Sequence, residues 1–144
     1  MAFTMEPRTS AFIDILNKMA ETIDINSIPR NYRLASCIVL KGKIISFGNN
    51  KMKSHPMQAK FGKNPQSIFL HSEIDAIKNA LRHIDVDDLR KSSLYTTRVK
   101  VKVGAYEVGN SKPCEGCMRA IATFGIKHVH YINESNEIES IQCH

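Results

Sequence analysis

Apolar residues recur along the chain with two different periods, and the changes of period divide it into helices and strands. Helical spacing over residues 10–24 predicts an amphipathic first helix. Its apolar positions are Phe12, Leu16, Met19 and Ile23. The apolar run at 34–40 predicts a buried strand, and residues 43–48 predict a second strand that returns across the tight turn Lys41-Gly42.

The alternation resumes after a long connection, residues 49–70, that shows no clear periodicity. A connection of this length inside a compact domain favours a functional role. A second helix is predicted from about Ser72, and its buried stripe consists of Ile74, Ile77, Leu81 and Ile84. A third helix is predicted from about Cys114 to Gly125. Three more strands are predicted at residues 93–103, 127–132 and 137–143.

The order of these elements, αββαβαββ, predicts an α/β domain in which helices cover the faces of one sheet. Only residues 133–136 separate the last two strands, which is too short for a helical crossover, so this pair is predicted to be antiparallel. Gly104 and Gly109 are expected to break the strand pattern before Pro113. The 144 residues are predicted to form a single domain.

Composition is that of a soluble globular protein, with 42% hydrophobic and 24% charged residues. The chain has no apolar run of membrane-spanning length, and its first residues lack the features of a secretory signal. A cytoplasmic location is therefore expected. The formal net charge of +6 favours an anionic partner but does not distinguish a nucleic acid from a mononucleotide.

The chain contains four cysteines. Because disulfides are not expected in a reducing compartment, the close pair Cys114 and Cys117 indicates metal or redox chemistry. Cys37 stands within an apolar run and is expected to be a small core residue. Cys143 is expected to be exposed.

The stretch FLHSEIDAI places His71 two residues before Glu73, at the predicted start of the second helix. One interpretation is structural: Ser72 and Asp75 have the spacing of a capping box, and an acidic first turn complements the helix dipole. The other is catalytic, with His71 as a metal ligand and Glu73 as a proton carrier. The stretch alone does not decide between them.

The second motif, KPCEGC, favours the catalytic interpretation. Cys114 and Cys117 project from one face of a first helical turn, where backbone amides stabilise thiolates. With His71 they provide three protein ligands for zinc, the number that leaves a fourth position for water in catalytic sites. Glu73 is then placed to move a proton from that water to the substrate ring and the leaving amine.

Together, HSEIDAI and PCEGC resemble the two motifs of the zinc-dependent cytidine and deoxycytidylate deaminase superfamily. This superfamily also includes tRNA adenosine deaminases and polynucleotide cytidine deaminases. The resemblance covers residues 34–132 and points to the deoxycytidylate deaminase-like branch. It implies a three-layer α/β/α cytidine deaminase-like fold with a mixed five-stranded sheet, and it implies a homo-oligomer.

Carried over by position, the resemblance implies roles for individual residues. The Zn2+ ligands are His71, Cys114 and Cys117. Glu73 is the general acid/base. An asparagine shortly after the second strand contacts the sugar or base, and Asn50 matches that position better than Asn49.

Three features depart from the commonest pattern. Ser72 stands where alanine is usual, and residues 98–112, RVKVKVGAYEVGNSK, intervene before Pro113 and Cys114. The chain also lacks the late helix and long tail of polynucleotide-editing members. The insertion bears on the identity of the substrate rather than on the chemistry.

Basic residues precede both motifs. They are Lys51, Lys53, Lys60 and Lys63 with His55 in the first segment, and Arg98, Lys100, Lys102 and Lys112 in the second. They form either a solvated surface or a phosphate-binding approach to the site. The predicted substrate contacts are Asn50, Phe69, Ser72, Lys51 and Lys53, with Phe69 as a pocket wall.

The remaining histidines and aromatic residues are open to several interpretations. His55 is a candidate phosphate contact or additional metal ligand, whereas His128 and His130 are expected to be packing or surface residues. Phe61 and Tyr106 are candidates to stack a base. Tyr95 is expected to be a core residue.

These observations favour a zinc-dependent hydrolytic deaminase that converts a cytosine nucleotide, similar to dCMP, or a nucleoside into its uracil product and ammonia. One alternative is a polynucleotide deaminase or an adenosine/guanine-type base deaminase. Aromatic content of 7% provides few side chains to stack a strand. Another alternative is an inactive zinc-binding module, which would have no use for Glu73.

Overall fold

The computed structural model describes residues 7–28, 32–61, 69–102 and 105–143. The helices are α1 (Pro7–Glu21), α2 (Pro56–Phe61), α3 (Ser72–Ala80), α4 (Val86–Leu89) and α5 (Glu115–Thr123). The strands are β1 (Tyr32–Leu40), β2 (Lys43–Asn49), β3 (Ser93–Lys102), β4 (Ala105–Gly109), β5 (His128–Ile132) and β6 (Ile138–Gln142). A short 3-10 turn (Ile25–Ser27) follows α1. No helix in the described ranges is both long and apolar enough to cross a membrane.

All strands belong to one mixed sheet. Its order is β2-β1-β3-β5-β6, and β4 pairs with β3 outside this path. The β3–β5 pair is parallel, whereas the other pairs are antiparallel. The predicted antiparallel pairing of the last two strands is confirmed, because the four residues between β5 and β6 allow only a tight reversal.

The sheet has six strands, so the prediction of five was wrong. The additional strand is β4, in the segment where two glycines were expected to break the pattern. It runs back along β3 as a hairpin, from the pair Lys102 and Ala105 to the pair Arg98 and Gly109. Pairing with β3 outweighs the weak strand preference of glycine, which depends strongly on context.

Two helical predictions also need correction. The long connection contains α2, which begins at Pro56, a residue favoured at the first position of a helix. The helix from Ser72 is shorter than its apolar stripe suggested, because Leu81 is its C-cap. Ile84 lies beyond the helix and packs against the core from a turn.

The sheet separates two apolar layers, as the α/β/α prediction requires. Alternate β3 side chains point to opposite faces. Val99 packs with Leu16 of α1, whereas Leu94 packs with Ile77 of α3 and Ile121 of α5. The helices that carry the two sequence motifs therefore lie on the same face of the sheet.

The structure places three of the four cysteines in or against apolar clusters. Cys37 is fully buried as expected, and burial raises the pKa of its thiol to about 12. Cys143 was expected to be exposed, but it is half-buried and packs against the cluster under α3 and α5. Cys117 is buried with α2, α3 and α5 residues.

Gly48 sets the distance between β2 and α3. A Cβ atom on Gly48 would lie 2.2 Å from the backbone nitrogen of Ala76 and 2.5 Å from the carbonyl oxygen of Ser72. The missing side chain therefore lets the first turn of α3 lie directly on the end of β2. This contact places His71 and Glu73 against the sheet.

Candidate metal centre and active site

His71 lies at the N-cap of α3 with an extended backbone, φ −81° and ψ 154°. Its backbone N–H donates a 3.0 Å hydrogen bond to Oε1 of Gln58. Gln58 belongs to α2 and is 1% exposed. A buried amide thus fixes the residue at the start of α3, and nothing in the sequence pattern had singled out Gln58.

The two motif cysteines converge on the His71 imidazole. Cys114 is the N-cap of α5, and Cys117 lies in the first turn of that helix. Nδ1 of His71 is 3.5 Å from Sγ of Cys114 and 3.3 Å from Sγ of Cys117. Among the described residues, these three form the one group of histidine, cysteine or acidic side chains arranged to hold a metal ion, with their donor atoms within 4.8 Å of one another.

The donor set fits zinc. One imidazole nitrogen and two sulfurs are a combination found in catalytic zinc sites, and three protein ligands leave a position open. A hydrogen bond with Cys117, aided by His71, lowers the pKa of Cys114 to about 4. The same bond and burial raise the pKa of Cys117 well above its ordinary value. Of the two thiols, Cys114 is therefore the one whose thiolate form this arrangement favours.

Glu73 lies beside this group without belonging to it. The residue is 3% exposed, and its Oε1 accepts a 2.9 Å hydrogen bond from the Ser72 hydroxyl. Burial raises the pKa of Glu73, while the neighbouring His71 opposes that shift. A carboxyl group held near the metal donors, but outside the ligand set, is free to carry a proton.

The capping-box interpretation of Ser72 does not hold. His71 occupies the N-cap, so Ser72 is the first helical residue and its hydroxyl points inward. Ser72 is fully buried, and its Oγ lies 2.8 Å from Oγ of Ser36 as well as near Glu73.

Asn50 joins the end of β2 to the start of β1. Its Oδ1 accepts from the backbone N–H of Leu34 at 3.1 Å, and its Nδ2 donates to the carbonyl of Tyr32 at 3.0 Å. The side chain is therefore held in place by the strand backbone. In Asn49, the competing candidate, Nδ2 donates to the carbonyl of Asn50, and Oδ1 accepts from the ammonium group of Lys51.

The two lysines predicted as substrate contacts have different environments. The ammonium group of Lys51 forms an ion pair with Asp75, a fully buried carboxylate that also contacts Lys78 at 3.1 Å. Lys53 is exposed, and its backbone carbonyl accepts from the N–H of Leu70. Lys51 is thus held within the fold by a carboxylate that it shares with Lys78, whereas Lys53 faces solvent.

Arg98 and Lys100 are the half-buried cations among the described side chains of the insertion. The guanidinium carbon of Arg98 lies 3.6 Å from the centre of the Tyr32 ring, and Nη1 is 3.5 Å from the carbonyl of Asn110. Lys100 is 5.7 Å from the same ring. On β3, Arg98 faces Leu34 on one side and Gly109 on the other, so neither ladder partner is acidic.

Several other candidates are packing or surface residues, or lie outside the described residues. Phe61 packs on Phe124 and Tyr95 packs with Phe12, so both are core residues; Phe69, next to Leu70, is half-buried. Lys63 lies outside the described residues, as do the side chains of Lys102 and Tyr106. Lys60 and Lys112 are exposed.

The histidine predictions have separate outcomes. Nδ1 of His55 accepts from the backbone N–H of Met57 at the start of α2, and no second metal-binding group is found in the described part of the chain. His128 is exposed, and His130 stacks on Tyr95 at 4.3 Å between ring centres. The expected packing and surface roles of this pair are confirmed.

Comparison with known families supports the chemistry suggested by this geometry. The family model for the cytidine and deoxycytidylate deaminase zinc-binding region matches residues 8–133. The chain belongs to this deaminase family. Zinc is the cofactor of the matched region, and the His/Cys/Cys group is able to hold it.

Solved deaminase structures share the fold. A dCMP deaminase from the cyanophage S-TIM5 in apo form is 23% identical, with TM-score 0.59 over 92% of this chain and 88% of that one. The same phage enzyme in complex with dCMP and dUMP is 22% identical, with TM-score 0.58 over 90% and 85%. A cytidine deaminase from Burkholderia pseudomallei is 15% identical, with TM-score 0.64 over 96% and 94%. Among curated protein sequences, no significant match is found.

Proposed function

We propose that the protein hydrolytically deaminates a cytosine nucleotide of the dCMP type, giving the uracil nucleotide and ammonia. The observation that carries the proposal is the convergence of His71 Nδ1 on both motif sulfurs, at 3.5 and 3.3 Å, with the buried Glu73 carboxyl beside them. A metal-binding group next to a proton carrier is what hydrolysis of an amidine requires.

The chain's own residues divide the work. His71, Cys114 and Cys117 hold the zinc. Zinc, when bound, activates water for attack at C4 of the cytosine ring. Glu73 carries one proton of that water to N3 of the ring, where it remains in the uracil product, and the second to the departing amine, which leaves as ammonia. Because its Oε1 accepts from Ser72, Oε2 is the oxygen that we assign to proton transfer.

The basic residues that precede the two motifs favour a nucleotide over a nucleoside as the substrate. The substrate contacts of this proposal are Asn50 and Phe69 for the nucleoside part, with Lys53 and Arg98 for the phosphate. Ser72, which the sequence suggested as a contact, is fully buried and bonds to Glu73 and Ser36 instead. Lys51 is less suited to that role than the sequence suggested, because its ammonium is already paired with buried Asp75. Arg98 is better suited, since a half-buried guanidinium can bind a phosphate through two parallel hydrogen bonds.

Ammonia release from a panel of substrates tests the proposal. The zinc-loaded protein is incubated with cytosine, cytidine, deoxycytidine, CMP, dCMP, adenosine, guanine and a cytosine-containing oligonucleotide. We expect the highest kcat/KM with a cytosine mononucleotide. The Glu73→Gln variant should keep its zinc and fold but lose about 10²–10⁴-fold in kcat, the usual contribution of a general acid/base.

The same panel separates the alternatives. Turnover of the oligonucleotide alone would assign a polynucleotide deaminase, and turnover of adenosine or guanine would assign a purine-type enzyme. No turnover of any substrate by the zinc-loaded protein would leave an inactive zinc-binding module. Any of these outcomes would overturn the dCMP-type assignment.

A further inference from the structure

A chain of buried hydroxyl groups leads from the centre of the sheet to Glu73, and we infer that two of its members, Ser36 and Thr96, are positioning residues for that carboxyl group. They act through Ser72. The inference rests on the proposed acid/base function of Glu73. Neither Ser36 nor Thr96 belongs to either sequence motif.

The contacts along this hydroxyl chain are continuous. Oγ of Ser72 donates to Oε1 of Glu73 at 2.9 Å and lies 2.8 Å from Oγ of Ser36. Oγ of Ser36 lies 2.9 Å from Oγ1 of Thr96, which in turn lies 3.4 Å from the carbonyl of Ala35. Ser36, Ser72 and Thr96 are each 0% exposed, so solvent does not compete for these bonds.

The position of these hydroxyls in the sheet argues against a purely incidental role. Ser36 and Thr96 face each other across β1 and β3, on the side covered by α3. The next pair on that face, Ile38 and Leu94, is apolar and fully buried. Burying hydroxyls at such a place costs free energy unless they are hydrogen-bonded. The polar pair occurs at the level of the sheet where Ser72 and Glu73 lie.

The number of hydroxyl hydrogens in the chain decides which hydrogen bonds it can form with Glu73. Each hydroxyl has one hydrogen to donate and can accept as well. When Ser72 donates to Glu73, Ser36 can donate to Ser72 if Thr96 in turn donates to Ser36, because the single hydrogen of Ser36 is then used. When Ser72 instead donates to Ser36, Ser36 can donate to Thr96 and Thr96 to Ala35, which leaves Ser72 as an acceptor for Glu73. The hydroxyl chain can therefore bond to the Glu73 carboxyl group whether that group accepts a hydrogen bond or donates one.

Ser72 is the link between the sheet hydroxyls and Glu73. An alanine at this position would end the hydroxyl chain at Ser36. We therefore expect Glu73 in this protein to depend on the sheet residues beneath it. A side chain held only by packing would not show this dependence.

Thr96→Val tests the inference, because valine keeps the shape and removes the hydroxyl. We expect kcat on the best panel substrate to fall about ten- to hundred-fold, the usual effect of removing a residue that orients an active-site group. KM and zinc content should change less than about twofold. Thr96→Ser, which restores a hydroxyl, should recover most of kcat. Ser36→Ala should resemble Thr96→Val and serves if the valine variant does not fold.

Thr97→Val is the matched control. Thr97 is also fully buried in β3, but its hydroxyl bonds to Asn17 of α1 on the other face. Its loss should leave kcat unchanged. The double variant Ser72→Ala/Thr96→Val should be no slower than Ser72→Ala alone, because the contribution of Thr96 passes through Ser72.

Two results would overturn the inference while leaving the proposed function intact. One is an equal kcat for Thr96→Val and Thr97→Val in an active enzyme. The other is a full additional loss from Thr96→Val in the Ser72→Ala background. Absence of turnover by the unmodified, zinc-loaded protein would instead remove the proposed function, and the inference would fall with it.

Discussion

At the scale of single residues, Cys114 is the exposed member of the His/Cys/Cys group. Its substitution therefore tests metal binding with little disturbance of the core. We expect Cys114→Ala to lose most of its zinc, because two donors remain where three are required. Metal analysis of the purified protein measures this. Cys143→Ala, which removes a half-buried thiol outside the site, is the matched control and should retain about one zinc per chain. Full zinc in Cys114→Ala would contradict the ligand assignment.

Arg98 provides a second prediction at this scale. Arg98→Gln should raise KM for the nucleotide about ten- to hundred-fold, since a charge-assisted contact contributes about 1.5–3 kcal/mol, while KM for the nucleoside changes little. Steady-state kinetics with dCMP and deoxycytidine measure the difference. Lys112→Gln removes an exposed charge from the same insertion and should have little effect on either. An equal change of KM for both substrates would show that Arg98 does not contact phosphate.

At the scale of secondary-structure elements, the closest approach between β2 and α3 depends on one glycine. Gly48→Ala should lower the free energy of unfolding by about 3 kcal/mol, because the new methyl group would overlap the backbone of Ala76. Gly109→Ala is the control, since the nearest atom to its Cβ would be a flexible Arg98 side-chain atom at 3.9 Å. Urea unfolding measures both, and an equal loss of stability in the two variants would exclude the steric explanation.

The elements predicted from sequence are those whose periodicity comes from burial in this fold. The apolar run of β1 and the stripe of α3 face a core on at least one side, so their patterns were visible. The strand β4 was missed because its Gly109, and Gly104 just before it in sequence, are weak strand formers, and pairing with β3 outweighs that preference. The helix α2 is six residues long, too short to show a period.

The residues of the candidate site also fall into those that the sequence could predict and those that it could not. The convergence of His71, Cys114 and Cys117 was predictable because each stands in a short motif at the start of a helix. The places of Gln58 and Thr96 were not predictable, because each depends on a hydrogen bond between residues distant in sequence. Likewise, no local pattern showed that Asp75 would neutralise Lys51.

At the scale of the whole molecule, His130 should make stability depend on pH. Burial, with a smaller effect of His128, lowers the pKa of His130 from 6.5 to about 4. Between these values the unfolded chain binds more protons than the folded one, so the free energy of unfolding falls as pH falls from about 6.5 to 4. For a half-buried ring we expect the loss to be about 1–2 kcal/mol.

The His130→Gln variant tests this expectation. Its free energy of unfolding, measured by urea titration at several pH values, should change less between pH 6.5 and 4 than that of the unmodified protein. His83→Gln is the control, because His83 is exposed and should leave the pH dependence as it was. An unchanged slope in His130→Gln would exclude this histidine as the source.

The pairing of β3 has a consequence for the exchange of backbone hydrogens with heavy water. This strand is bonded to β1 along most of its length, and on its other side to β5 at one end and β4 at the other. Between the segments paired with β5 and β4, the hydroxyl of Ser111 donates to the carbonyl of Thr96. Amides enclosed in this way exchange only when the whole domain opens. Thr96 and Arg98 therefore belong to the strand whose backbone amides should exchange with deuterium last.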